Sequence, residues 1–474
     1  MLGTLSGERL VIEEIHRFPN GPVNVLGTLR WDVLRIFGEL KQGLRKITTR
    51  GYPIESISAD SWGLDYVLLS DQDPTLTAPY SYRDGRTDGR VERALQIVPP
   101  DLIYSETGSQ FLQVNALYQL LDDLDHRPRI LELSDRFLGV GDYFNYLFSG
   151  VSCSEESLAS TTQLYNPSER KWSKELIERF HLPPRMFPKL VPPGTKLGPL
   201  LSSIANDVGL EDTQVVASCS HDTAAAVAAV PAEGQDWCYN SSGTWSLVGI
   251  EANKPIISAK SLEHNFTNEI GYGGSIRFLK NVVGLWIVQE CRRDWAKAGK
   301  EYTYDQLTKM AEQAQPLRSL IDPGDKRFLK PNGMPGKIAA YCHETNQTSP
   351  ETPGEIIRCV LESLALSYCY VLQEIRDVTG RNVRCLHIVG GGSKNELLNQ
   401  LSANAAHVTV LAGPSEATAI GNILIQALAL HHLGSLEDVR RVVRQSFQVK
   451  PYLGKEETTW QQAYERFQEL MARS

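Results

Sequence analysis

Four polar stretches carry residue types from which a reaction can be built. In Ser220-His221-Asp222-Thr223 a carboxylate follows a short apolar run over 215–218 and precedes an Ala-rich run. Strand, polar junction and helix in that order place Asp222 at a helix N-terminus, where free N–H groups and the helix dipole favour negative charge. Such a carboxylate can serve as a general base, and it equally suits a plain helix cap. In Asn240-Ser241-Ser242-Gly243-Thr244-Trp245-Ser246 the glycine permits a tight hairpin whose backbone and hydroxyls can meet phosphate oxygens, although an ordinary Ser/Gly turn reads the same way. Gly390-Gly391-Gly392 ends an apolar strand before a helix. One glycine would satisfy a tight turn, so three point towards a ligand lying against the backbone. The spacing is not GxGxxG, and no dinucleotide site follows. The fourth stretch, Asp60-Ser61-Trp62-Gly63-Leu64-Asp65, sets an indole beside carboxylates, a combination suited to a sugar's C–H face and hydroxyls. Tyr82-Arg83-Asp84-Gly85-Arg86-Thr87 joins it but reads by itself as a solvated charged loop.

The elements that must position these residues alternate between strand and helix. A hairpin is expected over 1–5 and 9–18 around Ser6-Gly7-Glu8. Val33, Ile36, Phe37, Leu40, Leu44 and Ile47 share one face of a helix over 31–48, which Gly51 and Pro53 end. Strands follow over 54–59 and 66–69, and helices near 115–124 and 141–148. Later, Thr352, Pro353 and Glu355 supply an N-cap, a proline at the first helical position and a capping-box glutamate, and Gly380 stops the helix they begin. A β-α-β-α run then covers 385–389, 396–405, 408–411 and 417–430. The class is α/β. The pattern restarts around Pro231, which predicts domains over 1–230 and 231–474, with the last helix a candidate to pack back on the first.

Composition narrows the function. With 474 residues the chain exceeds one ordinary core, and 42% apolar residues make it globular. Its 48 basic and 56 acidic residues give a net charge of −8, a poor match to nucleic acid. This leaves ATP open, because phosphate sites are local. Eight cysteines without a CxxC pair suggest reduced thiols and no zinc site, and Cys342 and Cys359 flank a short Pro-containing loop that could bring them together. The first residues lack the pattern of a signal peptide, and no apolar run is long enough to span a membrane, so a cytoplasmic location is expected.

The order of the landmarks is more specific than any one of them. The stretches EIHRFPNG, DSWGLDYVLL, YRDGRT, TTQL, SHDTAAAV, SSGTWSL, FLKNVVGLW, LHIVGGGSKNELLNQL and AGPSEATAIGNI run nearly end to end, and in them the chain resembles the FGGY carbohydrate kinases. The resemblance implies two actin-like, ribonuclease-H-like domains around a central cleft, with sugar on the N-terminal side and ATP with Mg2+ mostly on the C-terminal side. It implies that Asp222 is the general base, that Gly63, His221, Thr223 and Asn281 contact sugar, and that Thr244, Gln289 and Gly391 contact nucleotide. The implied reaction is ATP-dependent phosphorylation of L-rhamnulose at O1. Other ketoses (L-fuculose or a pentulose) and a non-catalytic sugar-binding relic are the alternatives. The implied partners are small molecules, with a monomer or homodimer as the assembly.

The family pattern also opens with a strand and an Asp-x-Gly-x-x-x-x-Arg loop around the β and γ phosphates, and Met1-Leu2-Gly3 matches positions just after it. Asp322-Pro323-Gly324 with Arg327 is only superficially similar. The chain as written is therefore expected to lack the first strand of its N-terminal domain and to be impaired as a kinase. Leu158 stands where the family often carries Asn.

Overall fold

The computed structural model describes residues 1–472. The chain divides into two compact units, one formed by Met1–Pro231, Glu251–Phe278 and Thr418–Ser446, the other by Ala232–Ile250, Leu279–Ala417 and Phe447–Ser474.

In the first unit, Leu2–Ser6 pairs antiparallel with Arg9–Glu13. The second strand stops short of the expected residue 18, and His16 instead bonds to Glu39 on the next helix at 2.7 Å. That helix, Val33–Thr48, is capped by the Asp32 side chain and buries Val33, Ile36 and Ile47. Thr195–Pro199, Gln214–Ala217 and Ser56–Ile57 form a three-stranded sheet in that order, and Tyr66–Leu69 pairs with Arg136–Gly139. Only Ser56–Ile57 of the strand expected over 54–59 joins a ladder. At Ala59 a side chain replaces the neighbouring strand: the Asn145 amide donates to the Ala59 carbonyl and accepts from its N–H, both at 2.9 Å.

Asp222–Ala228 begins where the strand Gln214–Ala217 leads. Its small residues let the helix Ala417–Ala429 come close, and Cys219, Ala224, Ala225, Ala228 and Ile425 form a shared core. A Cβ on Gly421 would collide with the Ala225 carbonyl oxygen.

The second unit is organised on a sheet in which Ile276–Val283, Trp245–Ala252, Trp237–Ser242, Cys385–Val389, Thr409–Ala412 and Lys450–Tyr452 follow one another, the first two strands continuing into segments of the first unit. Trp237–Ser242 and Cys385–Val389 run parallel, with Ser241 opposite Val389. The helix Pro353–Thr379 carries the expected capping box at Thr352 and Glu355 and ends at Gly380 in the left-handed region. The last helix is Glu457–Met471. It belongs to the second unit, where it buries Trp460, Ala463, Tyr464, Phe467 and Leu470. An apolar face of this size packs on the elements it meets, here the helices Pro353–Thr379 and Glu396–Ala406. The eight cysteines, Cys342 and Cys359 among them, are free thiols. No helix among the described residues is long and apolar enough to cross a membrane.

Gly421→Ala forces backbone apart and should lower the unfolding free energy by about 2 kcal/mol or more in urea titration. Gly336→Ala, where a Cβ meets nothing within 4 Å, should change it by less than about 1 kcal/mol.

Candidate active site

The junction before the Asp222 helix is held by backbone. Ser61 N–H donates to the Ser220 carbonyl and Asp222 N–H donates to the Ser61 carbonyl, each at 2.9 Å. Ser61 and His221 thus form a one-residue parallel bridge. The Glu155 carboxylate accepts from Ser220 N–H at 2.7 Å, and Ser157 Oγ accepts from His221 N–H at 3.2 Å. With both ends of the turn fixed, the Asp222 side chain remains 39% exposed while that of His221 is 7% exposed. Thr223 Oγ1 donates to Asp222 Oδ1 at 3.1 Å, and His221 Nε2 lies 3.6 Å from the same oxygen. A carboxylate that is accessible, oriented and set at a helix start can take up a proton.

Gly63 belongs to the same neighbourhood through Thr161. A Cβ on Gly63 would meet Thr161 Oγ1 at 3.0 Å, and Thr161 Oγ1 accepts from Leu64 N–H at 3.3 Å. The structure therefore brings together His221, Asp222, Thr223 and the Gly63 loop in the first unit. Asn281 lies in the second unit, on the strand Ile276–Val283.

In the second unit Thr244 meets Gln289, and the glycine loop meets the strand end at Ser242. Thr244 Oγ1 is 3.5 Å from Gln289 Oε1, and the Thr244 carbonyl accepts from Gly284 and Trp286 N–H at 3.2 and 3.1 Å. Gly390 has φ 82°, and a Cβ there would lie 3.0 Å from the Ser242 carbonyl oxygen. A Cβ on Gly392 would strike the Ser242 side chain, whereas one on Gly391 would enter open space. Two glycines thus let two strand ends approach, and Gly391 leaves backbone uncovered beside them. Such a cradle fits a flat, phosphate-bearing ligand.

Residues 17–229 match the N-terminal domain, and residues 238–430 the C-terminal domain, of the FGGY family of carbohydrate kinases. The chain belongs to this family. It is 42% identical over 446 residues to a rhamnulokinase of Halalkalibacterium halodurans, covering 94% of each chain. It is 39% identical over 467 residues to a rhamnulokinase of Bacteroides thetaiotaomicron, covering 98% of this chain and 96% of that one. Among solved structures, a ligand-bound xylulose kinase from Lactobacillus acidophilus gives a TM-score of 0.79 at 17% identity, over 96% of this chain and 92% of that one. Plasmodium falciparum glycerol kinase with ADP gives 0.78 at 14%, over 98% and 94%. These distant structures establish the two-domain sugar-kinase fold.

Several further polar residues of this FGGY kinase surround the candidate site, and of them only Asp60 and Asn422 belonged to stretches singled out in sequence. Asp60 keeps slight solvent contact, yet surrounding protein raises its carboxyl to about 7, with the Asp222 charge adding to the effect and a hydrogen bond from Asn422 opposing it. Burial raises Glu155 to about 7 and Asp142 well above the usual range, the Asp142 shift being increased by Glu155. Glu269 and Arg277 flank His221. Asp60 and Asn422 lie within recognisable motifs, but the pairing of positions 362 apart has no local signal.

Two polar loops behave differently from expectation. Asp65 is turned inward, accepting from the indoles of Trp31 and Trp62 at 2.6 and 2.9 Å, and burial raises its carboxyl to about 6 despite those bonds. It is thereby committed to the protein rather than offered to a sugar hydroxyl. The loop 82–87 is not solvated throughout either: Arg86 is buried, stacked on Tyr80 and bonded to Asp123 and Gln119.

The raised Asp60 carboxyl favours its neutral form in the folded state. That contribution is complete below the unfolded carboxyl range and is lost as pH rises towards 7. The difference in unfolding free energy between wild type and Asp60→Asn should therefore fall between pH 5 and pH 8, by about 2 kcal/mol after allowance for its remaining solvent contact. Parallel denaturant titrations across that range measure it.

Proposed function

We propose that this FGGY kinase transfers the γ-phosphoryl group of ATP to O1 of L-rhamnulose, giving L-rhamnulose 1-phosphate and ADP. One observation carries the reading: the half-exposed Asp222 carboxylate at its helix N-terminus, held by Ser61 and flanked by His221 and Thr223. The choice of acceptor is supported by relatives named as rhamnulokinases at 38–42% identity over more than nine-tenths of this chain.

Asp222 accepts the O1 proton as O1 attacks phosphorus. The new O1–P bond forms as the bond from phosphorus to the β–γ bridging oxygen breaks, and ADP leaves with those electrons. Phosphoryl transfer of this kind depends on position and charge neutralisation more than on covalent chemistry by the protein. His221, Thr223, Gly63 and Asn281 hold the sugar. Thr244 and Gln289 hold ATP phosphate and nucleotide, with the exposed backbone at Gly391 against the nucleotide. Mg2+ bound with ATP would supply charge neutralisation at the phosphates; among the described residues no group of three or more His, Cys, Asp or Glu side chains could hold the ion alone.

Asp222→Asn keeps the shape and hydrogen-bonding reach of the side chain but removes its basicity. L-Rhamnulose-dependent ADP release should fall about a hundredfold to ten-thousandfold. Equal turnover by variant and wild type would reduce Asp222 to a helix cap. In a ketose panel, L-rhamnulose should have the highest kcat/KM; preference for L-fuculose or a pentulose would overturn the assigned acceptor while leaving the kinase chemistry.

A further inference from the structure

The side chains behind His221 determine what its outward nitrogen can do. Glu269 lies on Thr267–Ile270 and Arg277 on Ile276–Val283, in a part of each strand that belongs to the first unit. Arg277 is fully enclosed and Glu269 is 4% exposed. Arg277 NH2 is 2.9 Å from Glu269 Oε2 and 3.1 Å from His221 Nδ1, while Nδ1 is 3.3 Å from Glu269 Oε2. Arg277 Nε donates to the Ile270 carbonyl at 3.2 Å, which fixes the plane of the guanidinium.

A guanidinium only donates. The hydrogen bond that NH2 makes is to Nδ1, at 3.1 Å, while Glu269 Oε2 beside it is an ion-pair neighbour without a hydrogen bond. Nδ1 is then an acceptor, and a neutral imidazole that accepts at Nδ1 carries its hydrogen on Nε2. Nε2 is the nitrogen on the Asp222 side of the ring. Burial pushes the Glu269 carboxyl up, but the neighbouring Arg277 charge opposes this and the carboxyl lies below the usual range. The pair is thus an ionised couple against a ring that completes it without adding charge. A buried ion pair is a poor source of stability compared with apolar packing, so its use beside the candidate base calls for another role.

We infer that Arg277 is a positioning residue that holds His221 in its Nε2–H tautomer, so that His221 meets the acceptor sugar as a hydrogen-bond donor beside Asp222. The inference rests on the reading that His221 and Asp222 face the sugar. It leaves a single proton acceptor at this turn, Asp222. It also sets a chemical filter: the sugar atom facing Nε2 must offer a lone pair, so a hydroxyl or carbonyl oxygen is taken and an ammonium group at that position is rejected.

The tautomer can be read directly in the full chain labelled with 15N-histidine, by two-bond 1H–15N correlation at pH 7, with His221→Gln identifying its signals among the ten histidines. A protonated Nε2 and an unprotonated Nδ1 are expected; an Nδ1–H tautomer or an imidazolium overturns the inference. This measurement needs no turnover, so it stands or falls separately from the proposed acceptor. Kinetically, Arg277→Met should raise the ketose KM about tenfold or more while the ATP KM stays within about twofold. Glu269→Gln, which retains the Arg277 donor, should raise the ketose KM by less than Arg277→Met does. A folded Arg277→Met with unchanged ketose KM overturns the assignment. If that variant does not fold, the wild-type tautomer and its persistence in Glu269→Gln decide, and loss of the Nε2–H form there overturns the role given to Arg277.

Discussion

Two backbone hydrogen bonds to Ser61 determine where the Asp222 carboxyl can point. Its N–H and carbonyl bind the residues on either side of His221, so the turn cannot swing without breaking both. The fit is close on the opposite side as well: a Cβ at Gly141 would lie 2.8 Å from the Ser220 carbonyl oxygen. The helix beginning at Asp222 supplies a favourable field for the carboxylate, and Thr223 supplies a donor to one of its oxygens. An acceptor group arranged before the substrate arrives spends little free energy on reorganisation during the reaction.

The cost of this arrangement lies beneath the turn. Glu155 receives hydrogen bonds from Ser157 N–H and Ser220 N–H at 2.7 Å each, and Asp142 accepts from Glu155 N–H at 3.1 Å. Burial raises both carboxyls, and the Glu155 charge adds to the rise of Asp142. They nevertheless supply acceptors for backbone N–H groups that would otherwise be buried without partners. Glu269 and Arg277, both buried, add polar support behind His221. The reactive turn is therefore supported by polar interior groups on two sides, and apolar packing enters mainly through the alanines of the helix that follows.

What was legible in the sequence was local. The capping box at Thr352, the strand Cys385–Val389 and the junction before Asp222 could be read because each writes its boundary into adjacent residues. The glycine loop after Cys385–Val389 could be read in the same way, whereas Gln289 was marked only by the family resemblance. Partners supplied from far along the chain escaped. Asn145 shortens the ladder at Ala59, Asn422 reaches Asp60, and Arg86 leaves its loop to meet Asp123. Glu269 and Arg277 sit in strands whose pattern reports burial but not charge pairing. The chain's returns to the first unit at Glu251–Phe278 and Thr418–Ser446 left no mark in composition, because a crossing between units needs no special residue.

The most direct test of the central claim is a crystal structure of the chain with L-rhamnulose bound. The account predicts O1 of the sugar within hydrogen-bonding distance, about 2.6–3.2 Å, of an Asp222 carboxylate oxygen. A sugar bound with O1 turned away from Asp222, or held at a different surface, would contradict it.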